Sequence, residues 1–134
     1  MIVVLDTNVL VSALLSPFGP AARILEMLIV GELRAALDDR ILVEYRDVLA
    51  RPKFGFDTEA VAELLDALQA EAVLVLAQPQ PRSLPDPTDA AFLEVAVQVQ
   101  APLITGNRRH FPPELCYPVR VLSPNEFLDE WKPQ

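Results

Sequence analysis

Four places in this chain set acidic or amide side chains against apolar sequence, and together they could hold a cation. Met1-Ile2-Val3-Val4-Leu5 has the pattern of a buried strand and stops at Asp6-Thr7-Asn8. Glu44 lies three residues after Ile41 and four before Val48, on the apolar face of a predicted helix. Asp89 shares a helical side with Phe92, Leu93 and Ala96. Leu103-Ile104 reads as a second buried strand and stops at Thr105-Gly106-Asn107. Carboxylates are seldom buried without a partner. Oxygen donors alone suit Mg²⁺ or Mn²⁺ better than zinc.

Each residue also has a purely structural explanation. Asp6 can N-cap the helix that follows, although one of its oxygens can cap while the other faces a metal. Glu44 can lay its stem on the core and pair with Arg40 or reach water. Asp86-Pro87-Thr88-Asp89 reads as an N-cap, a first-turn proline and an acid favoured by the helix dipole. Thr105-Gly106-Asn107 suits a tight turn, since Gly and Asn both tolerate positive φ. Thr105 offers a hydroxyl that could hold a carboxylate, and Asn107 a neutral carbonyl oxygen. His110, the only histidine, is flanked by Phe111-Pro112-Pro113 like a packed loop anchor, with a catalytic base as the alternative. With no second histidine and one cysteine, a zinc site is disfavoured. The chain has no glycine-rich phosphate loop and no Gly-x-Ser-x-Gly elbow.

The elements that must position these groups alternate between strand and helix, which predicts an α/β domain. Strands are predicted over 2–5, 33–37, 72–76, 102–105 and 119–122, the last at a sheet edge. Helices are predicted over 7–15, from Pro20 to about Gly31, over 39–50, 58–70 and 87–100, and from Ser123 to Trp131. Arg51-Pro52 ends the third helix. Ser123-Pro124-Asn125-Glu126 is a capping box that starts the last. Four prolines make 78–87 an extended loop.

At 134 residues the chain suits one domain, 1–134, with a real core. It is 51% hydrophobic and 22% charged, which argues for a globular protein. The net charge of −8 excludes a general basic coat for nucleic acid. It does not exclude a nuclease, because bound divalent ions place positive charge at the site itself. The single cysteine, Cys116, allows no intrachain disulfide, reads as a packing residue and fits a reducing cytoplasm. Asp6 interrupts the N-terminal apolar run too early for a signal peptide, and no segment approaches a membrane span. The apolar content of 20–30 permits a dimer or partner surface.

Taken in order, four segments resemble the PIN-domain family, and within it the VapC-like toxins of bacterial and archaeal toxin–antitoxin pairs. These are Val4-Leu5-Asp6-Thr7-Asn8-Val9-Leu10-Val11-Ser12-Ala13, Glu44 through Phe54, Asp86-Pro87-Thr88-Asp89 through Ala96, and Leu103-Ile104-Thr105-Gly106-Asn107. The resemblance spans residues 2 to about 111. It implies a Rossmann-like three-layer sandwich with a central, mostly parallel sheet of four to five strands. It also implies a Mg²⁺- or Mn²⁺-dependent cytoplasmic endoribonuclease, with RNA as substrate and an antitoxin as partner. By position Asp6, Glu44 and Asp89 are the family's first three acids and the metal ligands. The fourth, usually Asp, is Asn107 here.

Such chemistry needs an activated water, neutralisation of the phosphate and stabilisation of a leaving alkoxide. Asn8, Thr105 and Asp86 would orient the acids. Arg108 and Arg109, beside the site loop, are the best candidates for phosphate contact among Arg40, Arg46, Arg51, Lys53, Arg82, Arg108 and Arg109. A phosphoacceptor receiver domain expects an acidic pair after its first strand and a lysine after its last, yet no lysine lies between Lys53 and Lys132. A haloacid-dehalogenase phosphatase expects an Asp where Asn8 stands. A PIN-like binding module without catalysis is the remaining alternative, and Asn107 is its motive.

Overall fold

A computed structural model describes residues 1–81 and 83–131. Arg82 and Lys132, both considered above, lie outside the described residues. Five strands form one parallel sheet: β1 (Ile2–Leu5), β2 (Arg34–Leu37), β3 (Val73–Leu74), β4 (Leu103–Ile104) and β5 (Val121–Leu122). Their order across the sheet is β3-β2-β1-β4-β5, so β1 is central and β5 an edge, as expected. Val3 and Val4 are fully buried and Leu5 is nearly so. A strand covered on both faces must be apolar throughout, which is why the N-terminal run carries no alternation.

From β1 the chain runs outward to β2 and β3, then returns to place β4 on the other side of β1. The register pairs Leu5 with Ile104 across that reversal. The strand order therefore switches direction between β1 and β4, and the carboxyl ends of those two strands open a crevice.

Helices α1 (Thr7–Leu15), α2 (Pro20–Ile29), α3 (Asp39–Leu49), α4 (Thr58–Glu71), α5 (Ala90–Val99), α6 (Pro113–Cys116) and α7 (Pro124–Glu130) flank the sheet in an α/β sandwich. In α5, which packs on β1, β2 and β4, residues Ala91, Phe92, Leu93, Val95 and Ala96 are buried. The end of α2 is set by Gly31 at φ +83, where the Glu32 N–H turns back to Met27 O at 2.9 Å. Ser123 and Glu126 complete the capping box of α7 in both directions. Cys116 is fully buried, as a packing residue would be.

The structure departs from the sequence reading at several element ends. The helix expected over 87–100 begins as a 3₁₀ turn, Pro87–Asp89, and becomes α-helical only at Ala90. The cause is local: Asp86 Oδ1 accepts from the Thr88 N–H at 3.0 Å and from Thr88 Oγ1 at 2.7 Å, which tightens the turn. Three strands are two residues long, shorter than expected: β3 against 72–76, where Leu74 and Leu76 face solvent, β4 against 102–105 and β5 against 119–122. The 3₁₀ turns Pro52–Phe54 and Arg108–His110, and the single-turn α6, were not expected. Runs of three or four residues show no period from which to read them.

Tyr45 ties α3 to the central strand. Its ring is buried beside Phe92, and its hydroxyl donates to Leu5 O at 2.6 Å. Tyr45→Phe keeps the packing and leaves that carbonyl short of a buried donor, a loss of about 1–3 kcal/mol. Thermal unfolding of the purified variant should show a lower Tm with unchanged far-UV circular dichroism.

Candidate metal centre

Asp6 is the first residue beyond β1 and the N-cap position of α1, yet its side chain makes no capping hydrogen bond. It is turned instead across the strand-order switch, where Thr105 Oγ1 donates to Asp6 Oδ2 at 2.8 Å. The Asn107 N–H donates to the same Thr105 hydroxyl oxygen at 3.0 Å. The hydroxyl of a fully buried threonine thus links the ends of β1 and β4 and fixes one carboxylate oxygen. Asn8 does parallel work, its Oδ1 accepting from the Gly106 N–H at 3.0 Å. The Thr105-Gly106-Asn107 turn needs no positive φ, contrary to the turn expected above: Asn107 has φ −135, and Gly106 is not among the left-handed residues. The side-chain and hydroxyl bonds to the turn's N–H groups hold it without one.

Glu44 reaches the crevice from α3. It accepts a hydrogen bond from Thr7 Oγ1, the residue after Asp6, and so does not pair with Arg40. Arg40 is engaged elsewhere. Its Nη2 binds Asp38 Oδ2 and its Nη1 binds Glu94 Oε1, both at 2.7 Å. Asp38 also caps α3 by accepting from the Ile41 N–H. The sequence reading missed this Asp38–Arg40–Glu94 group. An acid among the apolar residues of α5 was the available signal. A cleft of about 180 Å³ runs past Arg40, Glu44, Thr88 and Phe92.

Asp89 stands at the junction of its 3₁₀ turn and α5, only 7% exposed. Burial lifts its pKa to about 6, helped by the charges of Asp6, Asp86 and Glu44 and opposed by His110. Burial likewise raises Asp6, with Glu44 adding to the rise and the Thr105 hydrogen bond opposing it. The same charges reach the buried Tyr45 phenol, whose pKa is raised chiefly by burial and then by Asp6 and Glu44. Asp6, Glu44 and Asp89 therefore feel one another's charge inside one crevice. Asp86 differs: the two Thr88 hydrogen bonds lower its pKa.

Asp89 Oδ2 is a buried oxygen that accepts no hydrogen bond among the described residues. His110 Nδ1 is 3.1 Å away but lies off the hydrogen-bonding direction. Asp86, Asp89 and His110 each bring one donor atom within 4.8 Å of the others. A buried oxygen lacking a hydrogen bond among mutually repelling carboxylates is what a cation would satisfy, so the residues present fit a divalent ion.

The basic residues proposed for phosphate are unequal. Arg108 Nη1 binds both oxygens of Glu126, at 3.0 and 3.1 Å. Lys53 sits over the Phe54 ring, 5.1 Å from its centroid. Arg109 is exposed beside the site loop, and among the described residues it has no ion-pair partner.

A sequence profile of the PIN domain matches residues 2–109, and the chain belongs to the PIN-domain family. It is similar to the uncharacterized protein MJ1680 of Methanocaldococcus jannaschii, 26% identical over 141 residues that cover 97% of this chain and 91% of that one. Its fold is shared with chains in solved structures, among them the following. VapBC2 from Rickettsia felis, bound to a DNA fragment from its promoter, has a TM-score of 0.61 at 16% identity, covering 92% of this chain and 98% of that one. VapBC-1 from nontypeable Haemophilus influenzae gives 0.61 at 16%, covering 93% and 99%. FitAcB from Neisseria gonorrhoeae gives 0.58 at 18%, covering 91% and 97%.

The raised Asp89 pKa has a definite sign in stability. The folded protein holds the Asp89 proton more tightly than the unfolded chain does. In chelator, stability should therefore fall as pH rises from about 4 to about 6. Asp89→Asn removes that loss. The variant should melt higher than wild type at pH 7, by about 1–2 kcal/mol after allowance for screening at the open side of the cleft, and equally below pH ~4. Calorimetric scans across that range check it, and equal melting at pH 7 would refute a cost of ionising the buried Asp89.

Proposed function

We propose that this PIN domain is a Mg²⁺- or Mn²⁺-dependent endoribonuclease and the toxin of a toxin–antitoxin pair. The observation that carries the reading is the buried Asp89 oxygen, which accepts no hydrogen bond among the described residues and is held among other acids at the strand-order switch. Asp6, Glu44 and Asp89 would hold the ion, with Asn107 adding a neutral carbonyl oxygen. When bound, the ion lowers the pKa of water, neutralises phosphate and stabilises the leaving oxygen.

The chain's own residues supply placement. Thr105 holds Asp6 at one oxygen and Thr7 holds Glu44, so neither carboxylate swings away in the absence of an ion. Asn8 fixes the turn that carries Asn107. Asp86 tightens the turn that presents Asp89. Arg109, and Arg108 if it leaves Glu126, would neutralise flanking phosphates of the RNA.

Partners follow from different observations. Leu15, Phe18, Ile29 and Val30, around the ends of α1 and α2, are exposed apolar residues and support a surface for an antitoxin or a second copy. The VapBC2 likeness supports an antitoxin of that kind. Among the described residues no single helix is long and apolar enough to cross a membrane, and the reading places the protein's action in the cytoplasm. A non-catalytic PIN-like binding module is the second reading, and the neutral Asn107 is what favours it.

Purified protein should cleave RNA with Mg²⁺ or Mn²⁺ and stop in excess chelator. Asp6→Asn and Asp89→Asn should each lower the rate more than about a hundredfold, and Thr105→Val by about 10–100-fold, the range for an orienting partner. Cleavage that survives either carboxylate change would count against the mechanism.

Asn107→Asp separates the two readings. In a working nuclease it should lower the metal concentration for half-maximal rate and hold or raise cleavage. An inert wild type that gains cleavage with Asn107→Asp would establish the binding-module reading.

A further inference from the structure

Asp89 has neighbours that the ligand set Asp6–Glu44–Asp89 does not use. Asp86 and His110 bring donor atoms within 4.8 Å of each other and of Asp89, in a group that includes neither Asp6 nor Glu44. We propose that Asp86, Asp89 and His110 form a second divalent-cation position, selective for Mn²⁺ and other first-row transition ions over Mg²⁺. It rests on the nuclease reading only in that both assign Asp89 to a metal.

Three features of the group favour a cation over a simple cluster of charge. The first is Asp89 Oδ2, which is buried, accepts no hydrogen bond among the described residues, and lies 3.1 Å from His110 Nδ1. Two cis ligands about 2.1–2.3 Å from an octahedral ion stand about 3.0–3.3 Å apart, so this separation needs little change to admit one. The second is Asp86. Thr88 binds its Oδ1 twice, which fixes the carboxylate, and one of its oxygens lies within 4.8 Å of the other two donors. The third is the support under His110. It closes the 3₁₀ turn Arg108–His110, its N–H donating to Asn107 O at 3.2 Å, and the next residue, Phe111, is fully buried and packs edge-on to Phe92. The imidazole stays 42% exposed, so water can complete the coordination.

The donor set decides the selectivity. Mg²⁺ prefers oxygen and sheds water reluctantly, whereas imidazole nitrogen suits later first-row ions. The position also makes up a deficit. At Asn107 the loop after β4 carries a neutral amide, so a second ion there would lack an anionic ligand. Asp86 and Asp89 supply two anionic donors a short distance away.

The chain has one histidine, so in the full-length protein its Nδ1 gives one nitrogen-15 signal, separate from that of Nε2. Titration with Zn²⁺, a diamagnetic probe, should move that signal to saturation. Mn²⁺ titration followed by electron paramagnetic resonance should show a bound population that His110→Gln and Asp86→Asn each weaken by about 10–100-fold. Mg²⁺ affinity should change far less. An imidazole signal indifferent to Zn²⁺, or Mn²⁺ affinity unchanged in both variants, would overturn the inference and leave an ordinary Asp89–His110 ion pair. The two readings fail separately. Mg²⁺-dependent RNA cleavage with an unmoved imidazole signal refutes this position alone. An imidazole that binds Zn²⁺ in a protein without cleavage refutes the nuclease alone.

Discussion

Taking a carboxylate out of water is unfavourable, and this fold does it just beyond the end of its central strand. β1 has no exposed edge and no polar side chain facing the core, so Asp6 meets the first opening the sheet offers. There it is hydrated less than a surface acid and repelled by Glu44. The hydrogen bond from Thr105 offsets part of that cost and comes from the strand that forms the other lip of the crevice. The parallel register sets this up: with Leu5 opposite Ile104, Asp6 and Thr105 extend from their strands at the same level.

The remaining acids are brought in by helices rather than strands, so their spacing depends on how α3 and α5 sit. Arg40, four residues before Glu44, lies near the start of α3, and Glu94, five residues after Asp89, lies in α5. The 2.7 Å contact between Arg40 and Glu94 therefore joins the two helices that carry Glu44 and Asp89. Tyr45 makes the corresponding link from α3 to β1. Both links lie beyond the acids' own hydrogen bonds and limit how far the carboxylates can separate under their mutual repulsion.

The features legible in the sequence were those determined by near neighbours. A wholly apolar strand that ends in an acid, a capping box at Ser123 and Glu126, and an acid on the face of Ile41 and Val48 can be read within a few residues. The Arg40–Glu94 pair cannot, because the partners are 54 residues apart and only the packing of α5 against α3 makes them neighbours. His110 was legible only in part, for a related reason. Phe111 does anchor its loop in the core, as the aromatic and proline flank suggested, but the anchor also sets the imidazole against Asp89, which belongs to a different segment. The split of the 87–100 helix was lost because Asp86 and Thr88 act through side-chain hydrogen bonds that helix periodicity does not register.

Glu94 shows how stability and site geometry are combined. A buried ion pair is a weak source of stability, since desolvation of both charges cancels much of the attraction. Here Arg40 keeps half of its side chain in solvent and also serves Asp38, the cap of α3. The arrangement thus spends little on burying the cation while leaving Glu94 dependent on one partner held in one place. An apolar residue at position 94 could pack as well against the sheet, but it would let α5 slide on α3 without breaking any directional contact. A directional contact is the property the crevice requires, because Asp89 sits at the start of that same helix and repels the acids it faces.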